Sequence, residues 1–314
     1  MYNVGQMNKQ IVTGYDLLAL TGPTASGKTL LAAFIASRIG GEVISADSRQ
    51  VYKKMNIGTG KDYNDYVIDG KHVPYHLVDI VNPGTKYNVF EYQRDFIPVY
   101  NDLKARGSFP VVCGGSGLYI DSIITGYRMY EVPPDPILRS ALEKKSMAEL
   151  TAILSTYRKL HNKTDLDSKK RLIRAIEIEH FQSSRKKMVS PFPALKVLVT
   201  ALHFDRETRR RRISERLRLR LAGGMIDEVK KLLTDGVSSE TLIYYGLEYK
   251  YITLYLMGRL SYEEMTCELE TAIHQYSKRQ MTWFRGMERK GTVIHWIDGE
   301  LPLEQKAEQV IGLL

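Results

Sequence analysis

The chain has 314 residues, 43% hydrophobic and 26% charged, a globular composition with enough apolar material for one large domain or two coupled ones. Its two cysteines, Cys113 and Cys267, stand outside any CxxC or Cys/His cluster, which argues against a disulfide framework or structural zinc and for a reducing compartment. No basic-then-apolar leader opens the sequence and no apolar run approaches the ~18 residues of a membrane span, so a cytoplasmic protein without a membrane is expected, and the net charge of +9 favours a polyanionic partner.

Asp16 to Thr21 (DLLALT) is a short apolar run that stops at Gly22-Pro23, the pattern of a buried parallel strand entering a turn. Gly22-Pro23-Thr24-Ala25-Ser26-Gly27-Lys28-Thr29 satisfies G-x-x-x-x-G-K-[ST], with a helix expected from Lys28 to about Ile39. Such a loop converges backbone N–H groups on phosphate oxygens, and the helix N-terminus adds partial positive charge. Lys28 would neutralise the outer phosphates and the Thr29 hydroxyl would ligate Mg²⁺. The loop does not say which phosphate ester it holds; nucleoside triphosphates are the commonest and would suggest a kinase or ATPase.

Glu42 to Ala46 is the second expected strand, and Ser45 to Tyr52 places Asp47 at its carboxyl end, where open parallel sheets bind ligands. There Asp47 serves as a general base, helps to hold Mg²⁺ through water, or N-caps the following turn. Further strands are expected at His76 to Val81, Phe109 to Cys113, Lys196 to Leu202 and Thr292 to Ile297, with a crossover helix over Phe90 to Arg106. This alternation implies a parallel α/β sheet covered on both faces. The loop Gly114-Gly115-Ser116-Gly117 should open into the same crevice, its glycines admitting a ligand or simply making a tight turn.

The alternation stops after Gly126. Pro133, Pro134 and Pro136 open a charged helical stretch that Pro191 and Pro193 close, so residues 127–190 are expected to form an inserted helical lobe, and 1–126 with 191–314 the core. From Arg206 onward helices dominate, one running from about Tyr262 to Glu288. Arg206 to Arg220 carries eight arginines against two glutamates, a density suited to phosphate contacts. Trp283, among Lys278, Arg279 and Arg285, is expected in the core with those charges on an exposed face.

GPTASGKT, ISADSRQVYK with MNIGTGK after it, PYHLVDI and VVCGGSGLY are followed by RISERL (Arg212 to Leu217), GMIDEV (Gly224 to Val229) and KRQMTWFR (Lys278 to Arg285). In order and approximate spacing these resemble the tRNA dimethylallyltransferases, also called tRNA isopentenyltransferases, over nearly the whole chain. The resemblance implies a P-loop NTPase-like parallel sheet with an inserted helical lobe facing tRNA and a helix-rich C-terminal part. It also implies transfer of a dimethylallyl group from dimethylallyl diphosphate to the exocyclic amine of the adenosine immediately 3′ of the anticodon, releasing diphosphate. By the same likeness Thr24 to Thr29 hold the diphosphate with Mg²⁺ on Thr29, and Asp47 is the general base. Ser116, where the family usually has Thr, positions the adenine, and Arg216 grips the leaving diphosphate. Asp47, Ser48, Arg49 and Gln50, with Lys170, Arg171, Leu172, Ile173 and Arg174, fall where the family touches the anticodon stem-loop. A monomer is expected.

The chain departs from the family pattern on the tRNA side. Leu166 to Arg171 lacks the usual Asn and Gln, Gly246-Leu247 replaces a Gly-Tyr pair with tyrosines displaced to Tyr245 and Tyr249, and Ile273-His274 replaces Thr-Arg. These changes imply a shifted or narrowed choice of tRNA. Three rival functions are a nucleotide kinase, for which Asp79 is the only obvious second Mg²⁺-holding carboxylate, a prenyltransferase of free adenine nucleotide, and an RNA-binding protein without activity. The long basic C-terminal half argues against the second, and intact Lys28, Thr29, Asp47 and Arg216 against the third.

Overall fold

The computed structural model describes residues 13–126, 131–159, 166–183 and 192–314. Two compact units divide the chain, Met1–Tyr127 with Pro193–Leu314, and Arg128–Phe192. Pro191, expected as a boundary, lies outside the described residues.

In the first unit β1 (Leu17–Thr21) is buried at all five positions and runs into α1 (Lys28–Ile39). Leu31 to Ala36 of α1 form an unbroken buried run, because the helix is packed against the sheet and also against the C-terminal helix. β2 (Gly41–Ser45) follows, then a small antiparallel hairpin of β3 (Val67–Ile68) and β4 (Lys71–His72), and β5 (Tyr75–His76). α2 (Val89–Ala105) starts from a capping box in which the Asn88 side chain accepts from the backbone and Glu91 returns the bond. β6 (Phe109–Gly114) leads into α3 (Gly117–Ile124).

The second unit holds α4 (Pro136–Glu143), α5 (Met147–Tyr157) and α6 (Lys169–Ser183) around a small core of Leu142, Leu150, Leu154, Leu172 and Ile176. Asp135 caps α4 and a Ser146/Glu149 box caps α5.

The first unit resumes with β7 (Val197–His203), α7 (Arg206–Ala222), α8 (Met225–Thr234), α9 (Ser239–Tyr245), α10 (Leu247–Leu256), α11 (Tyr262–Arg289), β8 (His295–Asp298) and α12 (Leu303–Ile311). The six-stranded sheet has the order β5-β2-β6-β1-β7-β8 with every pair parallel. β6 lies between β1 and β2, so the loops leaving the carboxyl ends of these three strands are neighbours. No described helix is long and apolar enough to cross a membrane.

Two strand expectations need correction. His76 to Val81 contributes only its first residue to β5: Leu77 and Asp79 take left-handed φ of 60° and 56°, and the chain then hooks back, Ile80 and Val81 donating to Val51 O. The last strand starts at His295, three residues late, because Thr292 N–H still donates to Met287 O at the end of α11.

Candidate functional site

The loops leaving β1, β2 and β6 border a cavity of about 520 Å³, lined by Thr24 to Thr29, by Asp47 to Gln50 and by Cys113 and Gly114. The P-loop is held by the protein itself. Thr24 N–H donates to Gln280 Oε1 at 2.9 Å, Lys28 Nζ to Pro23 O at 3.4 Å, and Arg212 Nε to Ala25 O at 3.0 Å. α1 begins behind Gly27 with no acidic residue in its first turn, so its N-terminal N–H groups and partial positive charge are unopposed there.

Asp47 both caps its turn and faces the cavity. Its Oδ1 accepts from Arg49 N–H at 2.8 Å, the capping bond, and the residue also lines the cavity. Ser116 is placed differently from the expectation. It does not line the cavity; its Oγ accepts from Ser48 N–H at 3.0 Å and so braces the Asp47 to Gln50 turn. Nor do Gly115 and Gly117 beside it admit a ligand. A Cβ on Gly115 would stand 2.4 Å from Gln280 Nε2, and one on Gly117 2.4 Å from Trp283 Cδ1, so the space is taken by α11. Trp283 itself is 38% exposed, a departure from the core position expected. Gln280, Phe284 and Met287 share the inward face of α11, and Trp283 falls on its flank.

Charge enters the cavity mainly from α7. Arg212, Arg216 and Arg220 recur every four residues, share one face and all line it. Arg216 donates to the Thr24 hydroxyl, and Arg220 to Asp62 Oδ2 at 3.2 Å. Burial lowers the Lys28 pKa, with Arg216 and Arg220 adding to the effect against Cys113 and Asp47. Burial and then Arg220 bring Arg216 down to about 10. Burial lifts the nearby carboxyls, Glu248 upward and Asp65 to about 6, and lifts the Cys113 thiol to about 12, leaving it a poor nucleophile. Desolvated, mutually repelling cations beside a row of N–H donors make a site whose electrostatics improve when a polyanion binds.

Two residues quoted only as parts of motifs hold this architecture. Gln280, buried on α11, also donates to Gly115 O at 2.8 Å and so ties the β1 loop to the β6 loop. Glu228 on α8 accepts from Asn56, Ile57 and Gly58 N–H at 2.8, 2.7 and 3.1 Å and from the Tyr249 hydroxyl at 2.7 Å, fixing a loop whose Gly58 to Gly60 line the cavity. An amide on the apolar face of an amphipathic helix was the available signal for Gln280.

Asp79, the carboxylate a kinase would need, is away from this wall: it accepts from Lys61 and from the Tyr63 hydroxyl at 2.6 Å and does not line the cavity. On α6 of the second unit, the side chains of Leu172 and Ile173 are buried in the lobe core. Lys170, Arg171 and Arg174 lie on the same helix; Arg171 is 3.9 Å from Asp167, and Arg174 donates to Glu177 and to Val132 O.

A family model described as IPP transferase matches residues 50–287, and one described as isopentenyl transferase matches residues 15–73. A tRNA dimethylallyltransferase 2 of Phocaeicola vulgatus is 57% identical over 300 residues, covering 96% of this chain and 98% of its own. A tRNA dimethylallyltransferase 1 of Parabacteroides distasonis is 55% identical with the same coverage. The crystal structure of the full-length tRNA isopentenylpyrophosphate transferase of Bacillus halodurans superposes with a TM-score of 0.68 at 30% identity, over 95% of each chain. A eukaryotic dimethylallyltransferase captured acting on tRNA shares the fold, with a TM-score of 0.74 at 22% identity over 93% of this chain and 76% of that one.

Proposed function

The chain belongs to the IPP transferase family, and we propose that it moves a dimethylallyl group from dimethylallyl diphosphate to the exocyclic amine of the adenosine immediately 3′ of the anticodon in tRNA, releasing diphosphate. One observation carries the reading: a desolvated arginine from α7 reaches a P-loop hydroxyl in the same cavity that the Asp47 carboxylate lines.

The diphosphate sits on the P-loop N–H groups that follow Thr24, whose own N–H is taken by Gln280, with Lys28 and Arg216 on its oxygens. As the adenine nitrogen attacks the allylic carbon, the carbon–oxygen bond to diphosphate breaks and negative charge grows on the leaving group. Fixed, poorly solvated cations stabilise that charge without reorganising. Asp47 accepts the proton that the amine loses; Oδ1 is engaged by Arg49 N–H, which leaves Oδ2 for it. Ser116 acts through Ser48, holding the turn that carries Asp47.

Mg²⁺ fits the residues present. Thr29 supplies a hydroxyl on the cavity wall, and Ser26 Oγ, buried in the loop, has no hydrogen-bond partner among the described residues. These are hard oxygen donors suited to a cation shared with phosphate oxygens. When bound, Mg²⁺ supplies charge neutralisation on the diphosphate. The acceptor adenosine must leave its stack to reach Asp47, and the cavity volume is in the range of sites that enclose a small ligand. Lys170 and Arg171 of the lobe are assigned to the RNA backbone, in a cytoplasmic monomer.

The test incubates purified protein with unmodified tRNA, labelled dimethylallyl diphosphate and Mg²⁺, with ATP and free AMP as parallel arms, followed by nucleoside analysis. Prenylated adenosine in the tRNA digest alone supports the reading. Prenylation of AMP alone, or ATP consumption without prenyl transfer, replaces it with a nucleotide prenyltransferase or a kinase.

A further inference from the structure

α9 ends on two adjacent tyrosines with opposite fates. Tyr245 is 2% exposed, its ring 4.3 Å from that of Tyr52 and its hydroxyl accepting from Gly84 N–H, which anchors the helix end. Tyr244 is 72% exposed. Of the tyrosines that flank Gly246, the displaced Tyr245 and Tyr249 are both buried, so neither presents a ring to solvent, whereas Tyr244 does.

Its surroundings set it apart from an isolated exposed ring. The Arg49 guanidinium lies 5.9 Å from the Tyr244 ring centroid, and the Arg49 backbone is tied to Asp47. Arg49, Tyr245, Gly246 and Arg279 all line the cavity that contains Asp47. Tyr244 therefore stands at the rim of that cavity, beside a cation that belongs to its wall.

We propose that Tyr244, with Arg49 beside it, is a stacking platform for the nucleobase next to the reacting adenosine in the RNA acceptor. The inference rests on the reading of that acceptor as tRNA. Drawing one base out of a loop strips its neighbour of a stacking partner, and an aromatic ring at the mouth of the site restores one. The guanidinium adds a cation–π contact and meets the neighbouring phosphate. A ring fixed at its helix end by Tyr245 offers this surface with little ordering cost on binding.

The experiment uses an unmodified anticodon stem-loop RNA with 2-aminopurine on the 5′ or the 3′ side of the reacting adenosine, against wild-type protein and the variants Tyr244→Ala, Tyr244→Phe and Tyr244→Trp. The wild type should quench one of the two probes, and the Phe and Trp variants should retain that quenching. Tyr244→Ala should lose it, with KM for the stem-loop raised on the order of 5- to 50-fold and KM for dimethylallyl diphosphate unmoved. A Tyr244→Ala protein that binds and quenches like the wild type overturns the platform and leaves the transfer reaction standing. A Phe variant as impaired as Ala also overturns it, because the hydroxyl and not the ring would then be at work. Failure of the wild type to prenylate the stem-loop overturns the acceptor reading and the platform together.

Discussion

Two arginine-bearing helices, α7 of the sheet unit and α6 of the lobe, look alike in sequence and differ in what their charges meet. On α7, Arg212, Arg216 and Arg220 all face the cavity, and the first two bond uncharged P-loop oxygens, the Ala25 carbonyl and the Thr24 hydroxyl. On α6, Arg174 is answered by Glu177, a carboxylate 1% exposed that also takes two bonds from Arg139, at 2.6 and 2.8 Å, and one from Asp135 N–H at 3.0 Å. Charge density therefore does not mark a phosphate site. Cations held among neutral acceptors beside converging N–H groups mark one, whereas cations gathered around a buried carboxylate build a fold.

The largest expected effect belongs to the acid that shares the α7 cavity. Asp47→Ala should slow prenyl transfer by about 10³-fold in single-turnover assays and keep most of the stem-loop binding, which basic residues elsewhere supply. Unimpaired turnover would remove Asp47 from the chemistry. Next, Arg216→Gln should cost about 10²-fold in kcat/KM for dimethylallyl diphosphate, while Arg171→Gln on α6 should change that parameter by less than about twofold, since it touches no diphosphate. Equal losses in the two variants would erase the distinction between the helices.

On the lobe side, Glu177→Ala should destabilise the helices of residues 131–183 by about 2 kcal/mol, less than for a fully buried pair because both arginines are partly exposed. Hydrogen exchange across that segment reads it out. Burial opposes ionisation of Glu177, but bonds from Arg139, Asp135 N–H and Arg174 outweigh it and hold the pKa below the ordinary 4.5. A carboxylate depressed in the folded state stabilises above its unfolded pKa, and that contribution is lost as pH falls through the folded value. Wild type and variant should thus converge in acid below about pH 4.5; a gap that widens there would show the carboxylate acting as a neutral acid. The smallest effect expected is in salt dependence: Arg171→Gln should flatten the logarithmic salt slope of stem-loop binding by about one, and an unchanged slope would take α6 away from the RNA.

Much of the framework was legible in the residues. DLLALT, EVISA, FPVVC and KVLVTAL read as buried parallel strands because each is a short, nearly continuous apolar run ending at a turn. Likeness placed Leu172 and Ile173 by position, while the helical period of α6 puts Leu172, Ile173 and Ile176 on one buried face. HLVDIV failed as a strand because it turns at left-handed Leu77 and Asp79, and Asp79, Ile80 and Val81 answer to backbone bonds with Gln50 and Val51, some thirty residues away.

The phosphate-loop motif and the start of α1 could be read directly, since the pattern lies within eight consecutive residues and needs no distant partner to bring its N–H groups together. Packing selected the rest. Arg216 among eight arginines, Gln280 against Thr24, the glycines that seat α11, and Tyr244 as the bare ring of its pair depend on partners as far as 256 residues apart in the chain. A local pattern states which groups a residue offers, but which of them lose water, and beside what, follows from how distant elements meet.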